Sequence, residues 1–340
     1  MVPQRPPPHP LLIAASQGIT ADVCAELLKL GPGPLARAAH EGVDPLMLAC
    51  ANGRHAAVAL LLRFGGFGLD PLGRNPLHYA ARYNKPRCMR LLVKLPQAAA
   101  WAHTLDAHGM SPLHDACLSD SVSCTRILAS LMDLRSRPEL GKDAILHAAS
   151  KGSSTAALWL LNLYPCLTTP SCAFLAACQS QDPESLGNFV KSLSSCTPAE
   201  KSELANQGLL IYCAIPFVGF YGVCSSSRWL INRLRTDDEL FTRTLLALGA
   251  NPLTRDPQGF TPLAHAVIHG HPGAAPLLLG LTLGALAPGR RSAARLAREN
   301  NHLALADELA CLQRTARLAV SLAHACSPAL VPPSTSTPRL

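Results

Sequence analysis

Apolar residues in this chain come in short runs spaced three and four apart, broken by polar residues, Pro and Gly. That pattern predicts many short amphipathic helices. Three lines fall into register: NPLHYAARYN at Asn75–Asn84, SPLHDACLSD at Ser111–Asp120 and TPLAHAVIHG at Thr261–Gly270. Each runs from a polar residue through Pro and Leu to small residues one turn on. Each follows a tetrad that opens on Asp and closes on Gly: Asp70 to Gly73, Asp106 to Gly109, Asp256 to Gly259. Marking the apolar position gives Leu11, Leu46, Leu77, Leu113, Ile145, Ala173, Leu210, Leu263 and Ala294. The steps are 35, 31, 36, 32, 28, 37, 53 and 31 residues, so the chain repeats itself, with extra residues in one copy.

Each position in the line has a mechanical reason. Ser or Thr before Pro caps a helix, and Pro at the first helical position is pre-set for helical φ. The small pair, Ala80 and Ala81 for example, lets neighbouring helices approach. Gly53, Gly152 and Gly270 end that helix at low steric cost. A second, Leu-rich helix follows, as in VALLLRFG ending at Gly65 and TLLALGAN ending at Asn251. The Asp-to-Gly tetrad is turn chemistry. One such copy cannot bury its apolar face alone, so copies must stack.

These lines resemble the ankyrin repeat, D-x-x-G-x-T-P-L-H-x-A-A-x-x-G-H, whose copies are about 33 residues long. The resemblance extends over nearly the whole chain. It implies an all-α ankyrin-repeat solenoid of about nine stacked helix-turn-helix units with short hairpin loops. It also implies that His78 and His114, in the motif's His slot, tie neighbouring repeats by hydrogen bonds and do no catalysis. Ser292–Leu309 resembles a polar C-terminal capping repeat. The expected organisation is a proline-rich segment at 1–9, an array at 10–310 and a short C-terminal helix at 311–326. A disordered Pro/Ser/Thr-rich tail is expected at 327–340. The repeats over about 166–250 are irregular, with an insertion at about 217–236.

The fold implies a function: a non-enzymatic scaffold or adaptor that binds another protein in a groove made by hairpin tips and first helices. The residues free to vary there lie inside the tetrad and just after the small pair. They are Leu72, Arg74, Arg82 and Tyr83 in the third repeat, His108, Met110, Leu118 and Ser119 in the fourth, and Gln258, Phe260, Ile268 and His269 in the eighth. Tyr83, Met110 and Phe260 are large side chains with no stacking role, typical interface anchors. Arg74 and Arg82 are expected to meet an acidic patch on the partner.

Composition narrows the alternatives. Aromatics are only 5% of the chain, so Ala and Leu carry the burial. A net charge of +8 is a modest excess, without the basic stripe and interleaved aromatics of a nucleic-acid surface, so none is expected as a partner. Thirteen scattered cysteines without a C-x-x-C pair, and no secretory signal, suggest free thiols and a cytoplasmic location, with the nucleus as second choice. Gly208 to Val223 carries no charge, but it is short for a membrane span and contains Pro216. Its first half fits the repeat. No cofactor or metal is expected. Gly65, Gly66 and Gly68 lack the Gly-Lys-Ser/Thr of a phosphate loop, and no G-x-S-x-G elbow occurs. Cys166, Cys172 and Cys178 are too widely spaced for zinc, and His265, His269 and His271 lack an H-E-x-x-H frame.

Two alternatives use the same scaffold. Ser321, Leu322, Cys326 and Leu330 match the S/T-L-x-x-x-C-x-x-x-L pattern by which a SOCS box binds elongin. That resemblance implies a substrate-recognition adaptor of a cullin-type ubiquitin ligase, with elongins B and C as partners. Pro328 would break such a helix, and only ten residues follow Leu330. The other alternative is a pathogen effector.

Overall fold

The computed structural model describes residues 9–30, 42–64, 68–216, 228–282 and 292–326. Outside these lie Gly65 and Gly66, the insertion at 217–227 and the tail from 327, including Pro328 and Leu330. The chain divides into two compact units, Met1–Thr197 and Pro198–Leu340.

Among the described residues the first unit holds six helix pairs. They are α1 (Pro10–Gln17) with α2 (Thr20–Leu30), α3 (Pro45–Ala51) with α4 (His55–Leu61), and α5 (Pro76–Arg82) with α6 (Pro86–Leu92). After a single turn, α7 (Ala98–Ala102), come α8 (Pro112–Leu118) with α9 (Val122–Leu131), α10 (Pro138–Ser150) with α11 (Thr155–Leu163), and α12 (Pro170–Ala177) with α13 (Pro183–Ser192). First helices stack in order, α1 on α3 on α5 on α8 on α10 on α12, and so do second helices, α2 on α4 on α6 on α9 on α11 on α13.

The second unit repeats the plan three times. Its pairs are α14 (Pro198–Ala214) with α15 (Arg228–Ala247), α16 (Pro262–Ile268) with α17 (Ala274–Thr282), and α18 (Ala293–Glu299) with α19 (Leu303–Cys326). Here α14 stacks on α16 and α16 on α18, while α15 stacks on α17 and α17 on α19. Among the described residues there is no regular strand, so the all-helical paired reading holds. Two details differ from the sequence expectation. Residues 228–236, read as insertion, open the 20-residue helix α15. Residues 311–326, read as a separate helix, continue α19 from Leu303 without a break.

The caps explain why these segments are helical. Asp44 Oδ1 accepts from Met47 N at 2.7 Å, Asn75 Oδ1 from Leu77 N at 2.9 Å and Thr261 Oγ1 from Ala264 N at 3.3 Å, each with Pro at the next position. Such a cap contributes about 1 kcal/mol. Seven residues past the marked apolar position the chain turns left-handed, at Gly18, Gly53, Gly152 and Gly270, and also at Asn84, Asp120, Gln181 and Asn301. Asn and Asp tolerate this conformation better than other side chains.

That landmark corrects the register of the sixth repeat. Gln181 fixes Phe174, fully buried, as the marked residue instead of Ala173. In the seventh repeat, burial does the same. Leu209 is buried and Leu210 only partly so, and the small pair is not Cys213 and Ala214 but Tyr212 and Cys213, both fully buried. Within the described part of the apolar segment 208–223, Gly208, Leu209, Tyr212 and Cys213 therefore form the inner face of α14. No described helix is long and apolar enough to cross a membrane.

Candidate partner-binding surface

Two hairpins of the first unit are each built by one aspartate. Asp70 Oδ1 accepts from Leu72 N at 2.9 Å and Arg74 N at 2.8 Å, while Gly73 N closes the turn on Asp70 O at 2.8 Å. Gly73 has φ 76°, which a side chain would strain. Asp106 repeats the arrangement with His108 N at 2.8 Å and Met110 N at 2.9 Å. The two hairpins join where Ala107 N donates to Leu72 O at 2.7 Å. His78 binds the repeats from beneath: its Nδ1 accepts from Asn75 N at 3.2 Å, so its Nε2 carries the proton to Met110 O at 3.1 Å. Burial lowers its pKa to about 4, leaving it a neutral structural donor.

The other oxygen of the hairpin aspartate looks to the residue nine positions on. Tyr79 Oη donates to Asp70 Oδ2 at 2.8 Å, and His265 Nε2 meets Asp256 Oδ2 at 2.7 Å. In the fourth repeat that slot holds Asp115, which cannot donate when ionised. Asp106 Oδ2 and Asp115 Oδ2 are both buried without a hydrogen-bond partner. Burial, with Asp106 adding to it, raises the Asp115 carboxyl to about 6 although Arg82 pulls the other way.

This arrangement engages both arginines within the protein. Arg74 Nε meets Asp70 Oδ2 at 2.7 Å, and its guanidinium lies 5.1 Å from the centre of the Tyr79 ring. Arg82 Nη2 meets Asp115 Oδ1 at 3.1 Å, with its side chain 40% exposed. Ser119 Oγ is tied to Ala81 O at 2.8 Å. Leu72, Tyr83 and His108 are exposed, Tyr83 at 51%, and Met110 and Leu118 partly so. Sequence reasoning missed Leu69 and Leu105, exposed at 53% and 48%. Each precedes its hairpin aspartate, and that shared position was the available signal. Eight of the expected residues thus belong to the first unit: Leu72, Arg74, His108 and Met110 in its hairpins, and Arg82, Tyr83, Leu118 and Ser119 at the C-terminal ends of α5 and α8. The other four lie on the second unit: Gln258 exposed, Ile268 partly buried, and Phe260 and His269 packed on either side of His265, ring centres 5.6 and 6.2 Å away.

Residues 11–104 match the family model for ankyrin repeats, in three copies. That stretch of the chain is made of ankyrin repeats. Similar solved structures include the ankyrin repeat domain of Bcl-3, a member of the IkappaB family. That match has 21% identity and a TM-score of 0.42, and covers 66% of this chain and 94% of that one. Another is the human ASB11 ankyrin repeat domain, with 18% identity and a TM-score of 0.40, covering 79% of this chain and 96% of that one. No curated protein matches the chain. Ankyrin-repeat domains generally serve as protein-interaction scaffolds.

The second unit also holds a buried polar network that the sequence did not announce. Asp238 Oδ1 accepts from Tyr212 Oη at 2.5 Å and meets His271 Nδ1 at 2.9 Å, while Oδ2 accepts from Gly273 N at 2.7 Å and Ala274 N at 3.0 Å. The Asp238 and His271 side chains are fully buried, and Tyr212 stacks on Phe241 with centroids 4.0 Å apart. Burial raises the Asp238 carboxyl, but the bond and charge of His271, with Tyr212 and the Ala274 N–H, outweigh it and hold the carboxyl below its ordinary range. Among the described residues no three of His, Cys, Asp and Glu are placed to hold a metal.

Proposed function

We propose that the protein is a non-catalytic adaptor that binds another protein on the hairpin face of its ankyrin repeats. The observation that carries the reading is the exposure of Leu72 and Tyr83 beside a fully satisfied turn. The hairpin needs neither side chain for its own bonding, and Tyr is enriched among binding hot spots. Arg82, half-exposed and oriented by Asp115, supplies a charge at the edge of the same patch.

The test is a pull-down that compares the wild type with Arg82→Glu/Tyr83→Ala and with Leu72→Ala. Loss of a specific partner from variants that keep the wild-type circular dichroism supports this surface. A folded double variant that retains every partner refutes it. A hot-spot residue at the centre of an interface costs about 2 kcal/mol or more when truncated, enough to be seen as lost capture.

A further inference from the structure

The side of the repeats formed by the second helices carries a different chemistry. Residues 71–105 contain six Lys and Arg and no Asp or Glu. Arg74 and Arg82 are ion-paired within the protein. The rest lie on and beside α6. That helix buries Cys88, Met89 and Leu92, so Arg87 and Arg90 share its outer face, with Lys94 just past its end, and all three are exposed. The corresponding exposed positions are Ala56, Ala59 and Arg63 along α4 and its end, and Ser123, Arg126 and Ser130 on α9. α4, α6 and α9 pack side by side, and none of the three contains an acidic residue. Among the described residues Arg63, Arg87, Arg90 and Lys94 form no ion pair, and Arg126 is braced over the Trp159 ring at 5.7 Å.

We infer that this outer face docks an acidic polypeptide segment lying across the three helices, separately from the hairpin face. Neighbouring helix axes are about 10 Å apart, the span of roughly three residues of extended chain. A strand with a carboxylate at every third position therefore sets one over each helix in turn. Four of the five cations are arginines, whose planar fork matches a carboxylate in two bonds. Their neighbours are Ala and Ser, which let an extended backbone lie close. The aromatics beside the cations are Phe64, exposed next to Arg63, and Trp159, already covered by Arg126, too few for the apolar wedge that membrane insertion uses or the aromatic platform that single-stranded nucleic acid uses.

The experiment measures fluorescence anisotropy of a short synthetic peptide with glutamate at every third residue, titrated with the full chain. A glutamine version, phosphatidylserine vesicles and a short DNA duplex are run beside it. The glutamate peptide binds, more weakly as salt rises. Arg87→Glu/Arg90→Glu/Lys94→Glu weakens it roughly tenfold, since each exposed ion pair is worth only a few-fold. Tyr83→Ala leaves it unchanged. If the reversed variant loses its circular dichroism, the neutral triple Arg87→Gln/Arg90→Gln/Lys94→Gln carries the test with a smaller loss. Equal binding of the two peptides, affinity unaltered in a folded triple variant, or tighter binding to vesicles or duplex overturns the proposal.

Discussion

Removing the Asp238 carboxylate tests how the second unit is held together. Asp238→Ala takes the acceptor away from Tyr212 Oη, His271 Nδ1 and the N–H groups of Gly273 and Ala274, the last two at the start of α17. Each net hydrogen bond contributes about 1 kcal/mol, and breaking one side of a buried ion pair costs about 3–5 kcal/mol. The variant therefore loses about 3–5 kcal/mol of local stability. Asp238→Asn keeps the shape, but its amide NH₂ faces N–H or O–H groups on one side, so it loses about 2 kcal/mol. Hydrogen exchange read by mass spectrometry on peptides from α14 and α17 measures the opening free energy, while peptides from α5 serve as an internal control. The wild type should lose this contribution only in acid. The folded carboxyl lies below its usual value of 3.8, so the stabilisation is complete above about pH 4 and disappears as pH falls through the depressed pKa. An Asp238→Ala loss under about 1 kcal/mol, or equal losses for Ala and Asn, would refute the reasoning.

Asp115 has the opposite sign. Its folded pKa of about 6 lies above the unfolded value, so the folded state holds the proton more tightly, and stability falls as pH rises from about 4 to 6. Asp115→Asn should raise the urea midpoint of the first unit at pH well above 6 and give no gain below pH 4. Gly273→Ala would place a Cβ 2.4 Å from Arg235 O and should cost about 1–3 kcal/mol by the same exchange measurement. Asn75→Ala removes both the cap on Leu77 N and the Asn75 Nδ2 bond to Trp101 O at 2.8 Å, and urea unfolding should show a loss of about 1–2 kcal/mol. Calorimetry of the full chain should resolve more than one transition, as its two compact units imply; a single sharp two-state peak would contradict that.

The sequence disclosed the repeat because its landmarks are local. An N-cap, a Pro, a small pair and a left-handed turn each follow from a few adjacent residues, so Asn75–Asn84, Ser111–Asp120 and Thr261–Gly270 could be read directly. The register failed at Ala173 and Leu210, where local chemistry is ambiguous. Ala173 and Phe174 are both buried, and only the backbone at Gln181 distinguishes them. In α14 a tyrosine fills a slot where small residues were expected, and its partner Asp238 lies 26 residues away. The candidate surface was legible as positions but not as chemistry. Arg74 and Arg82 are exposed-type residues in variable slots, yet Asp70 and Asp115 claim them across four and 33 residues, and no pattern of spacing reveals that pairing.

The Tyr212–Asp238–His271 network bears on how the gene can change. In the first unit, neighbouring helix pairs meet through interchangeable small residues such as Ala80–Ala81, Ala116–Cys117 and Ala148–Ala149. A pair duplicated or excised there keeps those small-residue faces but breaks single polar ties such as Arg82 to Asp115 and Asp120 to Thr155. In the second unit, α14, α15 and the start of α17 are keyed to one another by donors that converge on one fully buried carboxylate. Deleting α16 and α17 would take His271 and the N–H groups of Gly273 and Ala274 away from a buried carboxylate, leaving it Tyr212 alone. Recombination therefore breaks scattered single bonds in the first unit, whereas between the seventh and eighth repeats it would cut three bonds to one buried carboxylate.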